Sequence, residues 1–429
     1  MDSHSDEVTT RSWMAEGLPG ELRWLDGITV TAKEVLGLQS CENYSDDLDS
    51  MAASLKARFE RSGEVKDLED AINAARRAVQ STPFDHSSFS MSLNSLGVWL
   101  GRQFERSGEM EDLDDAINVA RQAVRLTPSD HPNLSVSLNN LGVWLGRRFE
   151  RSGEMKDLEE AIDIARRAVR SAPSDHPNLA IGLNNLGLWL GRRFERSGEV
   201  KDLEEAIDTA RRAVQSTPSD HPDLSMYLSN LGGWLGRRFE RSGEMKDLEG
   251  AIDTARRAVQ LTPSDHSNLS MSLYALGGWL RRRFERSGEA KDLEDAIDTT
   301  RRAVKLTPSD HPSLSMSLHS LGLCLGTRFE QSGEMKDLED AINASRRAVQ
   351  STPSEHPGLS MRLDSLGVWL GRRFERSGEM KDLEEAIDTA RRAVQLTPSD
   401  HPNLSTYLNN LGLWLGSRFE RSGEMKDLE

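Results

Sequence analysis

The chain has 429 residues and a formal net charge of −16, with 70 acidic side chains against 54 lysines and arginines. This balance argues against a general nucleic-acid or anionic-membrane surface, and no apolar run approaches the roughly 18 residues that a membrane span needs. Two cysteines, Cys41 and Cys324, cannot build a disulfide framework or a zinc finger. Because the polar, acidic N-terminus does not resemble a signal peptide, we expect a cytoplasmic protein without nucleic-acid or membrane partners.

The N-terminal segment precedes the regular part of the sequence. Residues 1–17 are predicted to be disordered, and residues 18–40, which include Leu22, Leu25 and Val35, are predicted to form a helical cap or a linker. Residues 41–429 hold a repeat. Its first unit is polar from Tyr44 to Asp47, where later units carry Leu-Ser-Met. A polar outer face is what the terminal cap of an array needs.

A 45-residue unit recurs along residues 41–429, as eight full units and a truncated ninth. Each unit contains a variant of L-G-x-W-L-G-R-R-F-E-R-S-G-E, with its phenylalanine at Phe59, Phe104, Phe149, Phe194, Phe239, Phe284, Phe329, Phe374 and Phe419. Self-similarity at a fixed period is typical of a solenoid. Because Glu429 falls in the first turn of the ninth unit's second helix, we expect the chain to be a fragment of a longer protein.

The first helix of each unit, helix A, is illustrated by residues 176–220. An apolar stripe with steps of three and four residues predicts an amphipathic helix, and it consists of Leu179, Leu183, Leu186, Leu190 and Phe194. Pro177 suits the first turn, because its fixed φ is helical and it needs no amide partner there. Ser197 and Gly198 are predicted to end the helix, since glycine readily takes the left-handed conformation that closes one.

The second helix, helix B, is predicted to open at Asp202 and to stop before Pro218. Asp202 and Glu205 have the spacing of a capping box. A second helical stripe consists of Leu203, Ala206, Ile207, Ala210, Ala213 and Val214. No segment alternates with period two, so we expect no strands. Each unit is therefore a helical hairpin with one apolar face per helix, and stacking of the hairpins buries those faces. The predicted fold class is an all-α solenoid.

The spacing within the unit resembles the tetratricopeptide repeat (TPR). Helix A carries Leu183-x-x-Leu186-Gly187-x-x-Leu190, and helix B carries Ala206, Ala213 and Pro218 at the family's spacings. The family's standard unit has about 34 residues, and the 45-residue unit is longer chiefly in helix A. The resemblance implies a right-handed, TPR-like superhelix. The alternative is a HEAT or armadillo array, which has a similar period, and the Gly187, Ala206, Ala213, Pro218 set argues against it.

Two longer strings extend this resemblance. D-H-P-x-L-x-x-x-L-N-N-L-G resembles the long TPR units of kinesin light chains. R-F-E-R-S-G-E-x-K-D-L-E-E-A-I-D-x-A-R-R-A-V-x-x-T-P resembles fungal TPR arrays, which often precede a CHAT-type caspase-like domain. The resemblance covers roughly residues 41–429. It is specific for the repeat class and weak for any attached domain.

Several chemically suggestive side chains are better explained by structure. One histidine per unit cannot share a metal ion, because stacked helices lie about 8–10 Å apart, whereas zinc ligands lie about 2 Å from the ion. His319 and Cys324 lie five residues apart on one helix, about 140° around it, so they do not form a catalytic pair. The recurring tryptophans are expected to pack between adjacent units, the alternative being a binding face. We expect no catalysis, cofactor or metal.

Variation between units is the remaining signal. The position after helix A's second leucine changes from unit to unit, and eight residues later most units carry arginine. In the TPR family helix A lines a concave groove, so the resemblance implies that both positions face it. Amides can donate to and accept from a peptide backbone, and guanidiniums can bind carboxylates. The candidate ligand-binding residues are Asn94, Asn139, Asn184, Tyr274, Asn409, Arg102, Arg147, Arg192, Arg237, Arg282 and Arg372. The alternative is that these surface positions vary without a function.

The function predicted from these patterns is a non-catalytic scaffold for protein–protein interaction. Its concave groove would bind a peptide or a partner helix, with acidic groups favoured by the arginines. The competing hypothesis is a regulatory or sensing arm of a longer enzyme, such as a CHAT-type protease. A third alternative is a self-assembling scaffold, because near-identical units with an uncapped C-terminal end invite domain swapping and end-to-end stacking.

Overall fold

The computed structural model describes residues 65–82, 88–174, 176–264, 266 and 268–423. The predicted disordered segment 1–17, the predicted cap 18–40 and the start of the first repeat unit lie outside the described residues, and so do Cys41 and the truncated helix B after residue 423.

The described residues form sixteen α-helices and no strand, so the predicted all-α class is confirmed. Helices B are α1 (Val65–Ser81), α3 (Met110–Leu126), α5 (Met155–Ser171), α7 (Val200–Gln215), α9 (Met245–Leu261), α11 (Ala290–Leu306), α13 (Met335–Gln350) and α15 (Met380–Gln395). Helices A are α2 (Phe89–Ser107), α4 (Leu134–Ser152), α6 (Pro177–Ser197), α8 (Leu224–Ser242), α10 (Leu269–Ser287), α12 (Leu314–Ser332), α14 (Leu359–Ser377) and α16 (Leu404–Ser422). None of these helices has the length and apolar character that crossing a bilayer requires.

A left-handed glycine closes helix A, as predicted. Gly198 has φ +74°, and its amide donates to the carbonyl of Phe194 at 2.7 Å. This bond satisfies one of the carbonyls that a helix C-terminus leaves unpaired. Only glycine takes this conformation without a steric penalty. The two helices of a unit are therefore joined by a turn short enough to pack them as a hairpin.

The predicted capping box of helix B is wrong. Helix α7 begins at Val200, two residues before Asp202, and the side chain of its N-cap residue Glu199 makes no capping bond. Instead, the Glu199 amide donates to Oγ of Ser197 at 3.1 Å. The carboxylate of Asp202 accepts two bonds from Arg193, at 2.7 and 2.9 Å. A bidentate guanidinium is a stronger partner for a carboxylate than a single backbone amide is, which explains the difference.

Small residues bring the two helices of a hairpin together. Ala206 and Ala213 are fully buried, so helix B presents a flat face to helix A. A Cβ added to Gly187 would lie 3.2 Å from the carbonyl oxygen of Ala206 and 2.9 Å from Oγ1 of Thr209. The glycine and alanines of the repeat motif are therefore explained by close backbone packing between helices A and B.

Tryptophans join one hairpin to the next, as predicted. A Cβ added to Gly146 would lie 2.1 Å from the indole of Trp189 in the following unit. The same arrangement recurs at Gly101–Trp144, Gly191–Trp234, Gly236–Trp279, Gly326–Trp369 and Gly371–Trp414. Each indole therefore fills a space that exists only because the facing residue has no side chain.

Among the described residues, the contacts define two halves of the array, residues 65–234 and residues 235–423. Within each half, neighbouring helices A contact one another. Examples are the contact of α4 with α6 and the contact of α10 with α12. The described residues show no comparable approach between neighbouring helices B. Neighbouring helices A therefore lie closer to one another than neighbouring helices B do.

Candidate functional site

Two rows of side chains run along helices A. The amide row consists of the residues after the second leucine of each helix, Asn94, Asn139, Asn184, Ser229, Tyr274, His319, Asp364 and Asn409. The arginine row lies eight residues later and consists of Arg102, Arg147, Arg192, Arg237, Arg282, Thr327, Arg372 and Ser417. Both rows belong to helices A, which lie closer to one another than helices B do.

The amide row is part of the interface between hairpins. Oδ1 of Asn94 accepts from Nδ2 of Asn140 at 2.9 Å. The same bond joins Asn184 to Asn230 at 2.8 Å and Asp364 to Asn410 at 2.9 Å. In each pair the donor lies 46 residues after the acceptor, on the next helix A. The acceptor oxygens of this row are thus used to hold neighbouring hairpins in register.

Exposure differs along the amide row. Asn139 and Asn184 are buried, Asn94 and Tyr274 are half-buried, and Asn409 is exposed. Oδ1 of Asn139 accepts no hydrogen bond within the described part of the chain. Its neighbour in the next unit is Gly182, where a Cβ would lie 3.4 Å from that oxygen. Because an unsatisfied buried carbonyl is costly, this oxygen favours an added donor.

The arginine row forms a ladder of ion pairs. Nη1 of Arg147 lies 2.9 Å from Oε2 of Glu150, and its Nη2 lies 3.9 Å from Glu105 in the preceding unit. Arg192 pairs in the same way with Glu195 at 3.0 Å and Glu150 at 3.5 Å. Each of these arginines has a glutamate three residues later. The sequence analysis did not include these glutamates among the site residues, although an i,i+3 pair on a helix can be recognised from sequence. They offset the arginine charges.

The ladder of ion pairs recurs in the half of the array that begins at Leu235. Arg237 lies 3.8 Å from Glu240, and Arg282 lies 3.2 Å from Glu285. Arg372 lies 3.1 Å from Glu375 and 4.0 Å from Glu330. Burial raises the pKa of the Glu240 carboxyl, and nearby guanidiniums oppose the shift. Burial also lowers the pKa of the Arg282 guanidinium. The ladder is therefore partly removed from solvent.

One carboxyl of the ladder titrates near neutral pH. Burial raises the pKa of Glu105 from 4.5 to about 7, although the guanidiniums of Arg147 and Arg102 oppose the shift. Its Oε1 accepts no hydrogen bond from the described residues. Desolvation thus outweighs the attraction of two cations at this position, so the charge balance around Arg102 and Arg147 changes near neutral pH.

His319 and Cys324 are both buried in α12. Burial and the nearby Arg362 and Arg281 lower the pKa of the His319 imidazole to about 3. Burial raises the pKa of the Cys324 thiol to about 11. At neutral pH the imidazole is therefore uncharged and the thiol is protonated, whereas a nucleophilic cysteine needs its thiolate form. Among the described residues, no three His, Cys, Asp or Glu side chains group as metal ligands.

The recurring histidines lie at or just before the start of helix A. Nδ1 of His176 accepts from the amide of Asn178 at 3.2 Å, which satisfies a first-turn donor of α6. The same bond is made by His131, His221, His266, His311, His356 and His401 to the amide two residues later. His86 lies outside the described residues. The once-per-unit histidine is thus explained by this local role.

The repeat itself identifies the family. The family model described as the tetratricopeptide repeat matches residues 90–133, 134–178, 179–223, 269–313 and 360–403. These segments cover more than half of the chain, so the chain belongs to the TPR family. The likeness to kinesin light chains and to fungal arrays stays a prediction. No curated protein sequence matches the chain.

Solved structures with similar folds include other TPR proteins. A monomeric IFIT1 mutant with m7Gppp-AAAA has a TM-score of 0.52 at 14% identity, over 99% of this chain and 88% of that one. YrrB, described as a TPR protein with an unusual peptide-binding site, has a TM-score of 0.35 at 16% identity, over 56% and 96%. PilF of Pseudomonas aeruginosa has a TM-score of 0.43 at 17% identity, over 64% and 98%. At these identities the likeness concerns the fold alone.

Proposed function

We propose that this chain is a non-catalytic scaffold that binds a peptide or a partner helix along the inner surface of helices A. Membership of the TPR family supports a role in protein–protein interaction in general. The observation that carries the finer proposal is the approach of neighbouring helices A. It makes the amide row and the arginine row continuous within each half of the array, so one extended ligand can contact several hairpins.

The amide row offers both donors and acceptors to a ligand backbone. The bonds that Asn94 and Asn184 make to the next hairpin use only their oxygens, so their NH2 groups are the parts assigned to the ligand. Oδ1 of Asn139 has no donor among the described residues, but it is closed to solvent, so its use by a ligand requires the neighbouring side chains to move. Asn409 is exposed, and Tyr274 adds a half-buried ring to the same row. A peptide backbone, which alternates N–H and C=O groups, fits this mixture.

The arginine row is the proposed source of a preference for acidic ligand groups. A ligand carboxylate at Arg192 has to compete with Glu150 and Glu195, which already pair with that guanidinium. Exchange of one carboxylate for another gives little net energy. We therefore expect acidic groups to set the register and orientation of a ligand more than its affinity.

The test uses substitutions that the repeat itself supplies. Ser229 occupies the amide row and Thr327 the arginine row, so Asn139→Ser, Asn184→Ser, Arg147→Thr and Arg192→Thr introduce residues that the fold accepts at those positions. A displayed library of 12-residue peptides is selected on the wild-type chain, and enriched peptides are measured by fluorescence anisotropy. We expect the fourfold variant to lose at least tenfold in affinity.

A matched control changes exposed charges on helices B. The double variant Lys156→Ala and Lys201→Ala lies on α5 and α7, away from both rows. It should bind the selected peptides as the wild type does, and both variants should keep the helical circular dichroism spectrum. Unchanged binding by the fourfold variant would refute the assignment of the two rows, and failure to enrich any peptide would refute peptide binding.

Two further functions stay proposals. The regulatory arm of a CHAT-type protease is supported by the resemblance of the repeat unit, and no contact among the described residues favours it. Self-association is supported by the near-identity of the repeat units, which favours domain swapping and end-to-end stacking.

A further inference from the structure

A cavity of about 470 Å3 lies on the helix B side of the chain, between α3 and α5. Its apolar lining consists of Leu141 and Ile164, which are buried, and Val124, which is half-buried. The polar lining, which reaches solvent, consists of Asn118, Arg121, Gln122, Arg125, Glu160 and Arg167. We call this site the helix B cavity. All of its residues belong to the half of the array that ends at Trp234.

The helix B cavity is positively charged in an acidic protein. Arg121 is held by Glu160 through bonds of 2.7 and 2.8 Å, so these two residues form a neutral wall. Arg125 and Arg167 are exposed, and neither has an ion-pair partner within the described ranges. Two uncompensated guanidiniums beside an apolar floor are suited to a ligand that carries both an anionic and an apolar group.

Two lining residues, Ile164 and Arg125, differ from the residues that most other helices B carry at the same positions. The counterparts of Ile164 in other helices B are Ala74, Val119, Thr209, Thr254, Thr299, Ala344 and Thr389. The counterparts of Arg125 are Gln80, Arg170, Gln215, Gln260, Lys305, Gln350 and Gln395. A large apolar residue and a guanidinium therefore meet in one cavity. Most other repeat units have neither an isoleucine nor an arginine at these positions, so the hairpin fold itself does not require them.

We propose that the helix B cavity binds an organic carboxylate with a short branched apolar group, either as a free acid or as the C-terminal residue of a peptide. The carboxylate is bound by Arg125 and Arg167, and the apolar group packs against Leu141 and Ile164. The cavity volume lies within the usual range for small-ligand sites, about 300–1,000 Å3. This site is separate from the inner surface of helices A, so it does not depend on the function proposed above.

The experiment uses three probes on the full chain. The first is a fluorescein-labelled peptide, Gly-Ser-Gly-Ser-Gly-Leu, with a free C-terminal carboxylate. The second is the same peptide with a C-terminal amide, and the third is unlabelled 4-methylpentanoate. Fluorescence anisotropy measures peptide binding, and isothermal titration calorimetry measures binding of the free acid. We expect at least one carboxylate probe to bind, and the amide to bind at least tenfold more weakly than the carboxylate peptide if that peptide is bound.

Variants taken from the repeat locate the binding. Arg125→Gln and Ile164→Thr each introduce the residue that most other helices B carry at that position, so the fold should accept them. Arg125→Gln should weaken carboxylate binding about tenfold, and Ile164→Thr should weaken it several-fold. The control, Arg170→Gln, makes the same change one unit along the chain and should have no effect.

The outcomes are distinct. Binding of the carboxylate peptide, lost in Arg125→Gln, supports recognition of a peptide terminus. Binding of 4-methylpentanoate with no peptide binding, again lost in Arg125→Gln, supports a free acid. The proposal is overturned if neither carboxylate binds, or if Arg125→Gln and Ile164→Thr bind as the wild type does. Peptide selection on the helix A surface is measured separately, so failure of one site leaves the other open to its own test.

Discussion

The indole ring of Trp189 in α6 lies against the backbone of Gly146 in α4, so close that a Cβ on this glycine would sit 2.1 Å from the ring. This contact joins two consecutive hairpins and recurs along the chain. At one place both members are exchanged together, since Arg281 stands where the glycine recurs and Cys324 stands where the tryptophan recurs. Among the described pairs, the one that has a side chain at the glycine position therefore has a small residue facing it.

Adding a methyl group at the tryptophan contact should destabilise the stack. We expect Gly146→Ala to lower the free energy of unfolding by about 1–3 kcal/mol, because the indole of Trp189 must move. Urea denaturation followed by circular dichroism measures the change. The control is Gly233→Ala in α8, where an added Cβ meets no atom within 4 Å. That substitution should be neutral or stabilising by up to about 1 kcal/mol, because alanine is the better helix former. Equal changes in the free energy of unfolding for the two variants would contradict the close contact between Gly146 and Trp189.

The exchanged pair predicts a rescue. Cys324→Trp places an indole against the side chain of Arg281, so this variant should be clearly less stable than the wild type. Arg281→Gly combined with Cys324→Trp restores the pairing found at the other interfaces and should recover most of the loss. A double-mutant cycle measured by thermal unfolding gives the coupling, which we expect to exceed about 1 kcal/mol. Simple additivity of the two substitutions would count against this explanation.

The buried carboxylate at the start of helix B should matter more than its exposed counterpart. Arg193 forms a bidentate pair with Asp202, which is buried, and a second pair with Glu159, which is half exposed, at 2.7 Å. Asp202→Ala should cost about 1.5–3 kcal/mol, because it breaks charge-assisted bonds in a desolvated site. Glu159→Ala should cost less than about 1 kcal/mol, because solvent screens that pair. Chemical denaturation of both variants decides the order, and a larger loss in Glu159→Ala would contradict it.

Glu105 should make stability depend on pH. Burial raises its pKa in the folded chain from 4.5 to about 7, so between these values the folded state holds a proton that the unfolded state has lost. The resulting stabilisation is complete below the lower value and is lost as the pH rises through the upper one. Glu105→Gln should therefore unfold at nearly the same temperature as the wild type at pH 5 and at a higher temperature at pH 8. Scanning calorimetry at both pH values measures this, and an equal difference at both would refute the shift.

The helices of the hairpin were predictable because their signals are local. The stripe from Leu179 to Phe194 and the closing glycine Gly198 act within one helix, and both were confirmed. The start of helix B was mispredicted, since Asp202 has two suitable partners, its own helix terminus and Arg193, and the sequence does not say which one it takes. The choice depends on where the end of helix A packs.

The candidate site was less predictable, because its properties depend on residues in the next hairpin. The amide row could be identified as variable from the sequence, but its bonds join residues 46 positions apart, such as Asn94 and Asn140. The ion pair of Arg147 with Glu105 likewise crosses between hairpins. Such distances are set by the offset between stacked helices, which no single unit contains.

The amino-acid order alone determined the helical hairpin, its 45-residue period, the cap at each glycine and the alanines that let two helices meet. These features follow from backbone geometry and apolar periodicity within a few turns. Only the stacked structure decided that Asn184 bonds to the next helix, that the arginines are neutralised by glutamates, and that Arg125 and Ile164 line one cavity. Those outcomes depend on which side chains of adjacent hairpins face each other, and that register is settled by packing across the interface.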